Sequence, residues 1–145
     1  MHLRGLRPAD AHAVRRIYSG RSVADLWFGQ MTAAQAHDYV REAREADAHR
    51  PRTARVLGID VHDDLIGIVR LRITGHTGSL SYILREDAWG HGYATTAVRR
   101  FLAHHRTPRV TAEHRVGNPA SGRVLTKTGF VVTTVTDEIV RYELG

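Results

Sequence analysis

The chain of 145 residues contains no cysteine, which excludes disulfides, thiolate metal ligands and a cysteine nucleophile. Proline is scarce, with four residues. No Gly-, Ser- or Pro-rich stretch and no internal repeat marks a linker, so one domain over residues 1–145 is predicted. Long apolar runs are missing too: none approaches the roughly 20 residues that cross a bilayer. The opening MHLRGLRPAD has no apolar stretch of the signal-peptide kind, which predicts a soluble, cytoplasmic protein without a membrane partner. Histidine is plentiful, at ten, but no His-Glu-x-x-His or comparable spacing occurs, and no metal is expected.

Acidic residues are in the minority. Fifteen Asp and Glu against twenty-one Lys and Arg leave a net charge of +6, which favours an anionic partner such as nucleic acid, acidic protein or a phosphorylated cofactor. The basic residues are spread along the chain without a basic tail or aromatic interleaving, which argues against nucleic acid as the main partner.

A short strand near Leu3 to Leu6 leads to a first helix, opened by Pro8 and Asp10, patterned by Val14, Ile17 and Tyr18, and closed by Gly20. Residues 21–31 show no period. Thr32 and Gln35 form a capping box before Ala36, Tyr39, Val40 and Ala43, the stripe of a second helix. From Arg55 the runs RVLGIDV, LIGIVRLRI and GSLSYIL, parted by HDD and TGHTG, predict a three-strand antiparallel meander. Ala94, Ala97, Val98, Phe101 and Leu102 define a third helix ending near His105. RVTAEHRV is a strand, NPASGRVLTKTGF a helix capped by Asn118 with Pro119 at its first position and Gly129 past its end, and VVTTVT with EIVRYEL a closing hairpin. The order βααβββαβαββ predicts an α/β (α+β) fold: a mixed, mostly antiparallel sheet of six to seven strands with about four helices.

The stretch WGHGYATTAVRR, Trp89 to Arg100, places two glycines where the third helix begins. A Walker loop needs Lys and Ser or Thr after its last Gly, and neither follows Gly92. A dinucleotide fingerprint needs a third glycine where Thr95 stands. Two readings stay open: a tight strand-to-helix turn, or a cradle of backbone N–H groups for a pyrophosphate.

The motif YILREDAWGHGYATTAV, followed by N-P-A-S-G-R-V-L-T-K-T-G-F, resembles the GNAT superfamily of acyl-CoA-dependent N-acetyltransferases. It is similar in particular to the ribosomal-protein N-terminal acetyltransferase (RimJ/RimL-like) branch. The resemblance implies a V-shaped cleft between the strand of Tyr82, Ile83 and Leu84 and the strand of Val110 to Arg115. The pantothenate arm of acetyl-CoA would bond the main chain of Ile83 and Leu84, with a strand amide near Ile83 polarising the thioester carbonyl. The pyrophosphate would sit on amides of Trp89, Gly90, His91, Gly92, Tyr93, Ala94 and Thr95. Trp89 either contacts the cofactor or buries its ring to anchor the turn. Asn118 is a cap, a cofactor contact, or both. Ser121 either satisfies first-turn amides or lies near the thioester sulfur, and Arg123 and Lys127 are either solvated or near the phosphates.

The implied reaction is acetyl transfer to a primary amine, on a peptide N-terminus or a small molecule, by direct attack in a ternary complex. A homodimer stays open. Two departures bear on it. Leu125 stands where many relatives have a Tyr that protonates the thiolate, and Thr96 where Rim-like sequences often have Glu. Ser121 and Glu113 are the candidate catalytic residues; strand alternation lets at most one of Glu113 and His114 face the substrate, and Glu113 is the one favoured as base. Asp25, Trp27 and Phe28, within Arg21 to Met31, either line the acceptor pocket or staple the core. The alternative is an acyl-CoA-binding module with weak or no catalysis.

Overall fold

The computed structural model describes every residue except Asp25, Trp27, Phe28 and Arg106. The acceptor-side expectation for Asp25, Trp27 and Phe28 therefore lies outside the described residues. The strands are β1 (His2–Gly5), β2 (Ala54–Val61), β3 (Asp64–Thr74), β4 (Thr77–Leu84), β5 (Arg109–Arg115), β6 (Phe130–Val135) and β7 (Ile139–Leu144). The helices are α1 (Ala11–Ile17), α2 (Ala33–Ala48), α3 (Tyr93–Ala103) and α4 (Pro119–Lys127). This is the mixed α/β order that the sequence predicts. The first helix opens with a separate 3-10 turn, Pro8–Asp10, and residues without a period hold another, Gly20–Val23. Among the described residues no helix is long and apolar enough to cross a membrane.

The seven strands form one sheet in the order β1-β2-β3-β4-β5-β7-β6, with β4 and β5 its parallel pair and the other neighbours antiparallel. His62 and Asp63, the two residues between β2 and β3, both have positive φ, as a two-residue hairpin turn that follows the strand twist requires. The β3 run LIGIVRLRI is apolar almost throughout because helices cover both of its faces. On one face α1 and α2 bring Val14, Ile17, Ala36 and Val40 onto Val56 and Ile68. On the other, Val98, Phe101 and Leu125 of α3 and α4 meet Val69, Leu71, Leu80 and Val110. The predicted capping box is present: Gln35 N donates to Thr32 Oγ1 (3.1 Å) and Thr32 N to Gln35 Oε1 (2.8 Å).

A charged cluster fastens β1 to the rest. Arg4 donates through Nε to Asp60 Oδ2 (2.8 Å) and through Nη1 and Nη2 to Asp10 (2.8 and 3.0 Å), and both carboxylates are buried. Burial pushes Asp10 up, but the Arg4 hydrogen bonds and the Arg7 amide outweigh it and hold the carboxyl below its ordinary 3.8. Asp60 is lowered chiefly by the Arg4 hydrogen bond. Carboxyls depressed in the folded state lend stability that is present above their unfolded pKa and lost as pH falls through the folded values. Thermal melts of the parent should therefore decline below about pH 4. Arg4→Met should cost about 3–5 kcal/mol at neutral pH and reverse the slope, regaining stability as the two buried carboxyls deprived of Arg4 protonate. Parallel acid profiles for the two proteins would contradict this role.

Candidate active site

Strands β4 and β5 are paired only from Thr77–Arg109 to Leu80–Ala112. Beyond that point β4 stays on β3 as far as Leu84, β5 stays on β7 as far as Arg115, and a wedge opens between them. The bond from Arg85 N to Ile66 O (2.7 Å) shows which residues of β4 spend their main-chain groups on β3: the odd-numbered ones, by the alternation of an antiparallel ladder. The groups turned to the wedge therefore belong to Tyr82 and Leu84. Ile83, expected to supply a main-chain donor there, is paired with Ile68 and faces β3 instead. This moves the expected main-chain donor by one residue, while Ile83 itself still lines the cavity at the wedge.

The far wall of the wedge is the glycine turn. Gly90 and Gly92 have φ of +80° and +74°, and a Cβ built on either would meet nothing within 4 Å. The space beside both is open. Gly92 is the N-cap of α3, with no side-chain cap hydrogen bond. The first helical bond is Thr96 N to Gly92 O (3.1 Å), so the amides of Tyr93, Ala94 and Thr95 have no partner within the helix. These residues, with Trp89, Gly90 and Gly92, line a cavity of about 320 Å³ that continues to Asn118, Ser121 and Val124 of α4 and to Arg21 and Ser22. His91 does not line it: its ring turns back, Nδ1 lying 3.3 Å from Ala88 O, and stacks on Tyr93. Trp89 is 42% exposed, so it does not anchor the turn by burying its ring. Its indole N–H donates to Leu84 O (3.2 Å), and Arg21 sits over its ring at 5.4 Å.

Opposite β4, Asn118 caps α4 by accepting from Ser121 N (3.4 Å). Tyr82 reaches across from β4, its hydroxyl 2.7 Å from Ser121 Oγ and 2.9 Å from Ser121 O. Burial is the main cause that pushes the Tyr82 phenol up to about 12; the Ser121 hydrogen bond opposes it and Tyr142 adds to it. One phenolic hydrogen cannot serve both oxygens. Either it goes to the carbonyl and Ser121 Oγ donates back to Tyr82, or it goes to Oγ and leaves the serine hydrogen for the cavity. Tyr82 is the residue that sequence reasoning used only as a strand marker; a polar-tipped aromatic on the same side of β4 as Leu80 and Leu84 was the available signal. Leu125 is fully buried in the core, while the neighbouring Val124 lines the cavity.

The predicted base does not reach the site. Val110 and Ala112 lie in the core under α3 and α4, so alternation turns Glu113 to the opposite sheet face. There it is half-exposed and paired with Arg141 (3.1 Å). His114 shares the α4 face but lies beneath that helix, Nε2 3.0 Å from Tyr142 Oη, beside a separate cavity that also holds Arg123 and Lys127. Among the described residues lining the main cavity there is no carboxylate and no imidazole.

The family described as acetyltransferase (GNAT) domain matches residues 1–131. No curated protein matches the chain. Among solved structures, a probable acetyltransferase superposes with a TM-score of 0.82 at 20% identity, over 98% of this chain and 90% of that one. Spermidine N-acetyltransferase from Vibrio cholerae, in complex with CoA and spermine, gives 0.76 at 19% identity over 99% and 94%. RimL, a ribosomal L7/L12 alpha-N-protein acetyltransferase in complex with coenzyme A, gives 0.80 at 14% identity over 97% and 91%. These identities speak for the fold, and the family match spans most of the chain and includes both walls of the wedge: the chain belongs to the GNAT acetyltransferase family and is an N-acetyltransferase.

Proposed function

We propose that the wedge binds acetyl-CoA and that the enzyme acetylates an amine of low pKa, the α-amine of a peptide or another small amine of low pKa, in the manner of the RimJ/RimL-like branch. The observation that carries this reading is the main-chain edge of Tyr82 and Leu84, left without a strand partner, beside the uncapped start of α3. An extended amide arm fits such an edge as an added strand would, and a pyrophosphate suits free amides at a helix N-terminus. The thioester supplies an activated acyl carbon: the amine nitrogen bonds to it, the C–S bond breaks, the amine's proton goes to solvent and the sulfur leaves as thiolate. An N–H from the wedge edge would donate to the carbonyl oxygen.

The lack of a base among the described lining selects the acceptor. At neutral pH an α-amine of pKa about 8 is neutral roughly 250 times more often than a lysine amine near 10.4. The one charged side chain described in the lining is Arg21, itself paired with Glu86 at 3.7 Å, and no carboxylate among the described lining residues offers a seat for the second ammonium group of a polyamine. On the leaving side, Ser121 would donate to the sulfur with Tyr82 donating to Ser121. A phenol at about 12 does not surrender its proton to a thiolate whose acid has a pKa of about 8.5, so the pair stabilises the thiolate by hydrogen bonding and leaves it unprotonated.

Calorimetry should show acetyl-CoA binding at micromolar concentration, and thiol release should be seen with free-amine peptides or small amines of low pKa before Nα-blocked lysine or spermidine. Binding without thiol release from any acceptor would favour the acyl-CoA-binding module. Gly92→Asn, which keeps the left-handed turn accessible, should hold its melting temperature within a few degrees and weaken acetyl-CoA about ten-fold or more; unchanged affinity would leave the glycines a turn and nothing else. Tyr82→Phe and Ser121→Ala should each lower kcat about ten-fold with little change in KM for acetyl-CoA. The double variant should be no worse than Ser121→Ala, because the pair acts as a unit. Multiplying losses would mean two independent roles.

A further inference from the structure

At the other end of α3 a second cavity, of about 510 Å³, opens against β1 and β2. Its floor is apolar, formed by Leu3, Leu57 and Phe101, and three arginines, Arg52, Arg55 and Arg100, stand around it. No carboxylate lines it among the described residues. Just outside, Asp47 serves two of the arginines through the same oxygen: Arg55 Nη1 lies 2.8 Å and Arg52 Nε 3.1 Å from its Oδ1. Both of those arginine side chains are about two-thirds buried, at 33% exposure. Arg100 donates to the main-chain carbonyl of Met1. Three guanidinium groups thus answer to one carboxylate.

Cations at the end of a helix complement its dipole, which accounts for Arg100 and for His104. Arg52 and Arg55 come instead from β2 and the segment before it, so their convergence needs another cause. Their field is felt across the cavity. His105, stacked on Phe101 at 5.6 Å, is held below its ordinary 6.5 by burial and then by Arg52 and Arg55.

We propose that this cavity binds a small organic phosphate, its phosphoryl oxygens held by Arg52, Arg55 and Arg100 and its apolar or aromatic body laid on Leu3, Leu57 and Phe101. Guanidinium forks match phosphate oxygens two at a time, and the surplus of two positive charges suits a dianion better than a single carboxylate. The site is separate from the acetyl-CoA cleft: α3, with 11 residues, holds the two apart by about 16 Å.

Amide NMR of the whole chain with phenyl phosphate, inorganic phosphate and phenol tests it. Phenyl phosphate should shift Leu57 and residues 100–104 saturably, inorganic phosphate should bind at least ten-fold more weakly, and phenol should leave those signals in place. Arg55→Gln and the exposed Arg100→Gln, with spectra otherwise unchanged, should each weaken phenyl phosphate by about ten-fold or more, the effect of one lost charge-assisted hydrogen bond. Shifts confined to residues 89–95, equal binding of phenol, or affinity untouched by both variants would each overturn the proposal.

Discussion

A strand that loses one of its two neighbours partway along leaves a row of amides and carbonyls without partners, and folded proteins rarely tolerate that in a sheet interior. In this chain β4 and β5 part after Leu80 and Ala112, and the features around the cleft are arranged about the gap. The indole of Trp89 already takes one of the vacant acceptors, the carbonyl of Leu84, which ties the glycine turn to the strand end. Tyr82, on the same stretch of β4, spans the gap to α4. The turn and α4 are thus both fastened to the free edge between them.

The parting is held open by what lies behind it. β3 stays registered with β4 through Leu84, and β7 with β5 through Arg115, so neither strand is free to close on the other. The order β5-β7-β6 places β7 against β5 with Tyr142 buried under α4. Gly122 lets the helix sit down: a Cβ there would fall 2.8 Å from His114 Nε2 and 2.9 Å from Tyr142 Oη. That close approach sets Ser121, the residue before it, over the gap where Tyr82 meets it.

Much of this was readable from residue order. The Thr32–Gln35 box, the alternating runs, the Asn118–Pro119 start and the two spaced motifs each signal a local structure, and local signals survive folding. The features that depend on which face of which strand meets which helix were not readable. Glu113 and Tyr82 illustrate it: both lie on strands flanking the cleft, and the carboxylate looked the more chemical of the two. Layering turns Glu113 outward to Arg141 and Tyr82 inward to Ser121. Ile83 and Leu84 were indistinguishable as main-chain donors until the pairing with β3 assigned the odd residues to it. The basic cavity at the far end of α3 brings Arg52 and Arg55, just before and at the start of β2, together with Arg100 of α3, a convergence of two distant segments that no spacing reveals.

On the proposed reading, the main-chain N–H groups of Tyr82 and Leu84 are without a strand partner in the unliganded enzyme and one of them is taken up by acetyl-CoA. Amide hydrogen exchange measures it directly. The account predicts fast exchange at Tyr82 and Leu84 and slow exchange at Ser81 and Ile83 in the free protein, with saturating acetyl-CoA protecting Tyr82 or Leu84 more than any other residue of β4. Slow exchange at all four without ligand, or no change on adding acetyl-CoA, would contradict it.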